Sequence, residues 1–525
     1  MRRVALRLAV VSAMGAGLLL TPHAGGAPTG AAPAWFSYGR PATYGVFSAP
    51  QDVPMRDGTL LACGLTRPYA AGRFPVIIND NTPYSPAYKA KDGFWAPRGY
   101  VTITCNPRGT MSWLEANKQL PNPQRDASFS AAEQRDWYDL VEWLAKQPWS
   151  TGKVGITGYS YGGIVAYHTA GQRPPHLTTV IAGAAFSDAY TELSYLGGAR
   201  TMDIEGWMAG PSGHPAQIAT ARQHPLYDDM WRTASIDTKH RAIKASGVPI
   251  LSFGGWYDIY QQGQPTNYMA LKKQTWLVMS GGTHLEGAEC VPKGGQLAWM
   301  DHWLRGLKKA PLPVSKVTTM EKPAVEGSWQ QLQDWPAPDA KTQRLWLRAD
   351  GTLGPVAGTA ATREYVVNPW DGRAKYWGTP QANDPYPDQQ QVEKSRAGWQ
   401  LPPLSRDLVV AGDIRARIRA ALSADDTNFV VRVLDVAPTG EAILVTSGWL
   451  RATHRLGHAS RAAVVPGTAY DFDVDVWPTH WRFKKGHSIR VSISGGDVPR
   501  IEPDAPAGTV DVVQGASFVD LDVRR

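Results

Sequence analysis

The chain has 525 residues, a net charge of +8 and an ordinary mixture of apolar and charged residues. That length exceeds what one hydrophobic core holds and calls for two or three domains. The charge is modest for the size and no Lys/Arg run is interleaved with aromatics, which argues against a nucleic-acid binder.

The N-terminus carries Arg2, Arg3 and Arg7, then an apolar stretch over residues 8–20, then Pro22 and the small residues 24–27. Basic, apolar, small is the order of a secretory signal peptide, assigned to residues 1–27, with an uncleaved anchor as the alternative. The apolar run is shorter than the ~20 residues a membrane span needs. Arg2-Arg3 hints at twin-arginine export, although its flanks lend little support. No later segment reads as a stable membrane span, so the expected product is secreted and soluble. Cys63, Cys105 and Cys290 then allow one disulfide with one thiol left over, and the sequence does not choose the pair.

Residues 44–67 read as two short strands around the turn signal Asp57-Gly58. Residues 75–78 and 99–104 are apolar strands, and residues 133–147 have the apolar spacing of an amphipathic helix. Next comes Val154-Gly155-Ile156-Thr157, the turn Gly158-Tyr159-Ser160-Tyr161-Gly162, and a small-residue helix from Gly163. A G-x-S-x-G between a strand and a helix is a nucleophile elbow: glycines admit a strained turn that lifts the serine hydroxyl beside a helix N-terminus. Further strands follow at 178–183, 248–253 and 276–279, so strands and helices alternate in the manner of a parallel sheet covered on both faces.

The alternation lapses between about 187 and 246, in a stretch rich in Trp, Tyr and Met that reads as a cap over the sheet. Beyond Pro311-Leu312-Pro313 the pattern becomes short β runs separated by turns, an all-β sandwich. Residues 354–401 read as a long ordered connection within it. The expected organisation is α/β: an α/β-hydrolase domain over 35–187 and 246–312, a helical cap over 188–245 and an all-β domain over 313–525.

A serine hydroxyl needs a base, and the base needs a carboxylate to orient it. In such sheets the chain order is Ser, then Asp or Glu, then His, on loops after successive strands. Ser160 is followed by Asp258 in Gly254-Gly255-Trp256-Tyr257-Asp258 and by His284 in Ser280-Gly281-Gly282-Thr283-His284. Asp228, Asp237, Glu286, His224 and His302 compete for the same roles. The Tyr161 amide, at the helix start, is one expected oxyanion donor, and Tyr84, on the loop after the 75–78 strand, is the other candidate. The scheme calls for no metal and no cofactor. In the cap, Tyr190, Tyr195, Trp207 and Trp231 offer an aromatic acyl pocket. Asp203, Glu205 and Glu286 are candidates to grip a free α-amine.

These residues resemble the cocaine-esterase/X-prolyl dipeptidyl aminopeptidase group, peptidase family S15, which includes α-amino acid ester hydrolases and β-lactam acylases. The matching segments are Val53-Pro54-Met55-Arg56-Asp57-Gly58, Asn81-Thr82-Pro83-Tyr84, Arg108-Gly109, Gly158-Tyr159-Ser160-Tyr161-Gly162-Gly163, Gly255-Trp256-Tyr257-Asp258, His284 and Met300-Asp301-His302-Trp303. In the all-β part they are Asp334-Trp335-Pro336 and Asp425-Asp426-Thr427-Asn428-Phe429. The resemblance implies a helical cap, a C-terminal jelly roll, Ser160–His284–Asp258 as the triad and Tyr84 as an oxyanion residue. The implied substrate is a small ester, amide or short peptide, with X-Pro dipeptidyl-peptidase-like or esterase/acylase specificity. An inactive hydrolase fold that binds through its jelly roll is the alternative. Three positions depart from the family pattern: Asn106 replaces an Asp, Met111 a Gly, and Gly282-Thr283 a Pro-Trp.

Overall fold

A computed structural model describes residues 32–110, 128–209, 215–323, 329–372 and 388–524. The segment read as a signal peptide and Met111 lie outside them.

The first domain is built on a sheet whose strands in chain order are β1 Val46–Pro54, β2 Leu60–Pro68, β3 Phe74–Asn79, β4 Val101–Cys105, β5 Ser150–Tyr159, β6 Leu177–Gly183, β7 Ile250–Tyr257, β8 Thr275–Thr283, β9 Val317–Met320 and β10 Trp329–Leu332. Their spatial order is β1-β2-β4-β3-β5-β6-β7-β8-β9-β10. The run from β4 through β9 is parallel, and β1, β2 and β10 are antiparallel to their neighbours. The sheet thus continues past Pro311-Leu312-Pro313 and takes two more strands than the sequence pattern assigned to it. Central strands are buried on both faces, and all eight residues of β7 are inside.

Helix α1, Ala131–Ala145, starts at Ser130, whose side chain accepts from the Glu133 amide, and buries Trp137, Leu140, Val141 and Leu144. Helix α2, Tyr161–Gln172, follows the elbow and is buried along nearly its whole length. Cys63 and Cys105 lie opposite each other on β2 and β4 and form a disulfide, leaving Cys290 free and buried. Short helices, Asp203–Ala209, Pro215–Gln223, Asp229–Ala234 and His240–Ser246, occupy the insertion between β6 and β7.

The C-terminal part is all-β and antiparallel. Its two longest strands, Leu408–Leu422 and Ala469–Phe483, pair along most of their length. Ile414, Ala416, Ile418 and Ala420 point inward, and the alternating Arg417 and Arg419 point out. Across the register those arginines meet Asp473 at 2.7 Å and Asp471 at 3.0 Å, so these aspartates form a cross-strand charge ladder. Among the described residues no helix is long and apolar enough to cross a membrane, and no group of three or more His, Cys, Asp or Glu is placed to hold a metal ion.

Three histidines are enclosed in these cores. Burial pushes His168 and His480 from 6.5 down to about 3 and His454 to about 4. Each binds a proton in the unfolded chain below about 6.5 but not in the folded protein until the lower value. The unfolded state therefore gains protons, and stability falls, as pH drops through that window. The thermal midpoint should decline between pH 6.5 and 4, and the decline should be shallower in His168→Gln, read by calorimetry across that range.

Candidate active site

The elbow fixes the centre of the site. Ser160 has φ 55° and ψ −119°, in the region L-residues avoid. Its amide donates to the Gly183 carbonyl at 2.9 Å and its carbonyl accepts from the Ile164 amide at 3.0 Å. The turn closes only without side chains. A Cβ on Gly158 would run into the Gly162 carbonyl, one on Gly162 into the Asp80 carboxylate, and one on Gly163 into the Gly183 carbonyl.

The carboxyl ends of β5, β7 and β8 lie on one edge of the sheet, so the loops that follow them converge. Asp258 ends β7 and is 1% exposed. Its Oδ1 accepts from the Tyr260 amide at 2.8 Å and from His284 Nδ1 at 2.9 Å. His284 opens a short turn after β8, capped by Thr283 and Glu286, and its Nε2 lies 3.0 Å from Ser160 Oγ. A carboxylate only accepts, so Nδ1 carries the proton and Nε2 presents its lone pair to the serine hydroxyl. Asp258 Oδ2 accepts from the Tyr159 hydroxyl at 2.9 Å. Such an arrangement can draw a proton from Ser160 and stabilise the imidazolium that results.

Tyr84 stands above the elbow with its ring edge-on to Tyr161, centroids 6.1 Å apart. Its loop is shaped by Asn106, whose Nδ2 donates to the carbonyls of Thr82 at 2.9 Å and Ser85 at 2.8 Å while its Oδ1 accepts from the Ala87 amide at 2.8 Å. An aspartate could make none of those donations, which gives the departure at position 106 a structural meaning. The Tyr161 hydroxyl donates to Glu133 at 2.6 Å and holds the ring away from the serine.

The insertion turns its aromatic residues inward. Tyr190 and Tyr195 stack at 4.8 Å, and Trp231 is edge-on to both, with its indole N–H donating to the His224 carbonyl at 2.8 Å. The side chain of Trp207 lies outside the described part of its helix. A cavity of about 50 Å³ remains between Trp231, Met230, Met208, Leu193 and Phe129, and Phe129 in turn packs on Tyr161 at 4.4 Å.

The candidate amine-binding carboxylates all have partners. Glu205 pairs with Arg222 at 2.7 Å and Arg200 at 3.7 Å; Asp203 pairs with Arg500 at 2.7 Å; Glu286 accepts from the Thr283 amide at 3.0 Å. Glu192, fully enclosed beside Gly263, is driven well above the usual carboxyl range by burial. Of the competing residues, Asp228 caps a helix and bonds His224, and His302 faces the Ala310 carbonyl.

The second domain also reaches the site. Arg500 donates to the Ile259 carbonyl at 3.4 Å, Gln261 to the Pro478 carbonyl at 2.6 Å, and Gln262 to Asp475 at 2.6 Å. Lys322 donates to the Gly281 carbonyl at 3.0 Å and lies over the Tyr257 ring at 4.5 Å. The loop after Asp258 is thus gripped from the C-terminal domain, and the strand before His284 from the segment between β9 and β10. Sequence patterns gave no sign of these contacts, nor of Tyr159 and Asn106 as parts of the site.

Comparison with known proteins identifies the family of the chain. Residues 57–217 and 203–286 match the X-Pro dipeptidyl-peptidase (S15) family, and residues 309–521 match the X-Pro dipeptidyl-peptidase C-terminal non-catalytic domain. Cocaine esterase of a Rhodococcus species is 24% identical over 548 residues, covering 87% of this chain and 92% of that protein. A putative Xaa-Pro dipeptidyl-peptidase of Bacillus cereus is 23% identical over 441 residues, covering 77% and 72%. The crystal structure of a CocE/NonD family hydrolase from Staphylococcus aureus has the same fold, with a TM-score of 0.76 at 18% identity over 95% of this chain and 100% of that one.

Asn106→Asp should loosen the Tyr84 loop, because two carbonyls lose their donor and face a carboxylate instead. The expected loss is about 1–3 kcal/mol in urea unfolding, with a fall in kcat larger than any change in KM.

Proposed function

The chain belongs to the X-Pro dipeptidyl-peptidase (S15) family and is a hydrolase, and from that premise we propose that it is a secreted serine esterase or acylase acting on uncharged acyl groups. The observation that carries the reading is the position of His284, 3.0 Å from Ser160 and 2.9 Å from Asp258. His284 takes the Ser160 proton as Ser160 attacks an ester or amide carbonyl. The oxyanion that forms is held by the Tyr84 hydroxyl and the Tyr161 amide, at the N-terminus of α2. His284 then delivers the proton to the leaving group, and water releases the acyl-enzyme by the same steps reversed.

Recognition of an uncharged acyl group is supported by the carboxylates. A dipeptidyl peptidase must offer an anion to a free α-amine. Among the described residues Asp203 and Glu205 are already paired with arginines, and Glu286 is spent on a helix cap. Export is supported by the basic-apolar-small N-terminal segment and by the Cys63–Cys105 disulfide, a bond that persists in oxidising compartments.

Ser160→Ala should lower kcat by about 10⁴-fold or more while the protein stays folded; full turnover in that variant would remove the proposal. A panel of p-nitrophenyl butyrate, N-acetyl-Ala-Pro-p-nitroanilide and Ala-Pro-p-nitroanilide reads the specificity. The ester or the N-blocked amide should be cleaved faster than the free-amine substrate, and a marked preference for Ala-Pro-p-nitroanilide would instead assign a dipeptidyl-peptidase.

A further inference from the structure

The residue before the nucleophile is spelled x in the elbow motif, because its side chain normally has no part in the turn. Here it is Tyr159, and its phenol runs across the site. The hydroxyl lies 2.9 Å from Asp258 Oδ2 and 2.6 Å from the main-chain carbonyl of His284. Its ring packs against His284 at 5.2 Å and Phe253 at 5.7 Å. One side chain, rooted next to Ser160, therefore touches both the carboxylate and the backbone of the base.

We propose that Tyr159 is a positioning residue: its hydroxyl, sharing one proton between the His284 carbonyl and Asp258 Oδ2, fixes Asp258 and His284 relative to Ser160 and gives the second oxygen of the Asp258 carboxylate its donor. The inference rests on the serine-hydrolase reading above. Asp258 Oδ1 is occupied by His284 and the Tyr260 amide, and Tyr159 answers Oδ2. A buried carboxylate with one oxygen unmet is less well held and more basic.

The surroundings are built for this contact. A Cβ on Gly287 would lie 2.5 Å from the Tyr159 hydroxyl and 3.5 Å from Asp258 Oδ2. The glycine leaves the space into which the phenol reaches. The ionisable groups around the hydroxyl are Asp258 from the end of β7, His284 and, deeper in the core, the Cys290 thiol. Burial and the Asp258 charge raise the phenol well above its ordinary value, so it remains a proton donor throughout the working range.

Tyr159→Phe keeps the ring and removes the hydroxyl. Losing a bond to a buried charged group should lower kcat by roughly 10- to 100-fold, without a matching change in KM. Asp258, deprived of a donor, holds the proton on His284 more strongly, so the acid limb of the kcat/KM profile should move to higher pH. A purely structural loss would lower activity without moving that limb. Gly287→Ala should reproduce both effects by displacing the hydroxyl. In the Tyr159→Phe background it should add little, since the oxygen it would strike is gone.

Steady-state kinetics across pH on the full chain, with calorimetry as the folding control, tests this. A Tyr159→Phe enzyme within about threefold of wild type in kcat, with an unmoved acid limb, would overturn the proposal. So would fully additive losses in the double variant. If Tyr159→Phe does not fold, Gly287→Ala alone decides by the same two readouts. Should Ser160→Ala kill turnover while Tyr159→Phe leaves it intact, only the positioning role fails. Should Ser160→Ala stay active, the underlying reading fails first.

Discussion

The site depends on one backbone torsion. At φ 55° Ser160 leaves β5 and enters α2 without a residue to spare, and the tight packing of helix on strand follows from it. The strain is held by the Gly183 carbonyl, which accepts the Ser160 amide, and by three glycines that let neighbouring backbones close in. Asp80, also at positive φ, accepts the Tyr159 amide at 3.1 Å and braces the elbow from the β3 side. Relaxing this turn would point the hydroxyl elsewhere and leave Asp258 and His284 arranged around an empty position.

The other two members of the arrangement are held differently. Their loops follow β7 and β8, strands buried on both faces, and beyond the sheet they are also held by residues from late in the chain. Arg500, Pro478, Asp475 and Lys322 hold the segment around Asp258 and the end of β8. Tyr257, the residue before Asp258, is packed among core residues of the C-terminal domain. Ser160 is therefore placed by local strain, while Asp258 and His284 are held by Tyr159 within the first domain and by contacts from residues late in the chain.

Much of this was legible in the sequence, for physical reasons. Periodicity marks buried strands and amphipathic helices, and the elbow glycines are forced by sterics, so the α/β order and Ser160 stood out. Asp258 and His284 were visible because strand-end loops rich in glycine are local features. The pairing of Cys63 with Cys105 was not, since it depends on β2 and β4 being neighbours. Tyr190 stacks within the insertion while Trp231 lines its small cavity, a distinction that composition does not make. Glu205 looked available because its arginine partners come from other turns of chain. Tyr159 was hidden in plain view: motif positions report backbone sterics, and a side chain that crosses to two other loops leaves no trace in spacing.

The grip of the C-terminal domain on the Asp258 loop changes what counts as the working unit of this protein. A fragment cut at Pro311-Leu312-Pro313 would keep the elbow and lose β9, β10 and the Arg500, Pro478 and Asp475 contacts to the carboxylate's loop. It would also uncover the Tyr257 ring. A change at Arg500 or Lys322, far along the chain, would consequently be felt at the loops that carry Asp258 and His284. The two domains can diverge in surface and loops, but along this seam they must evolve as a single part.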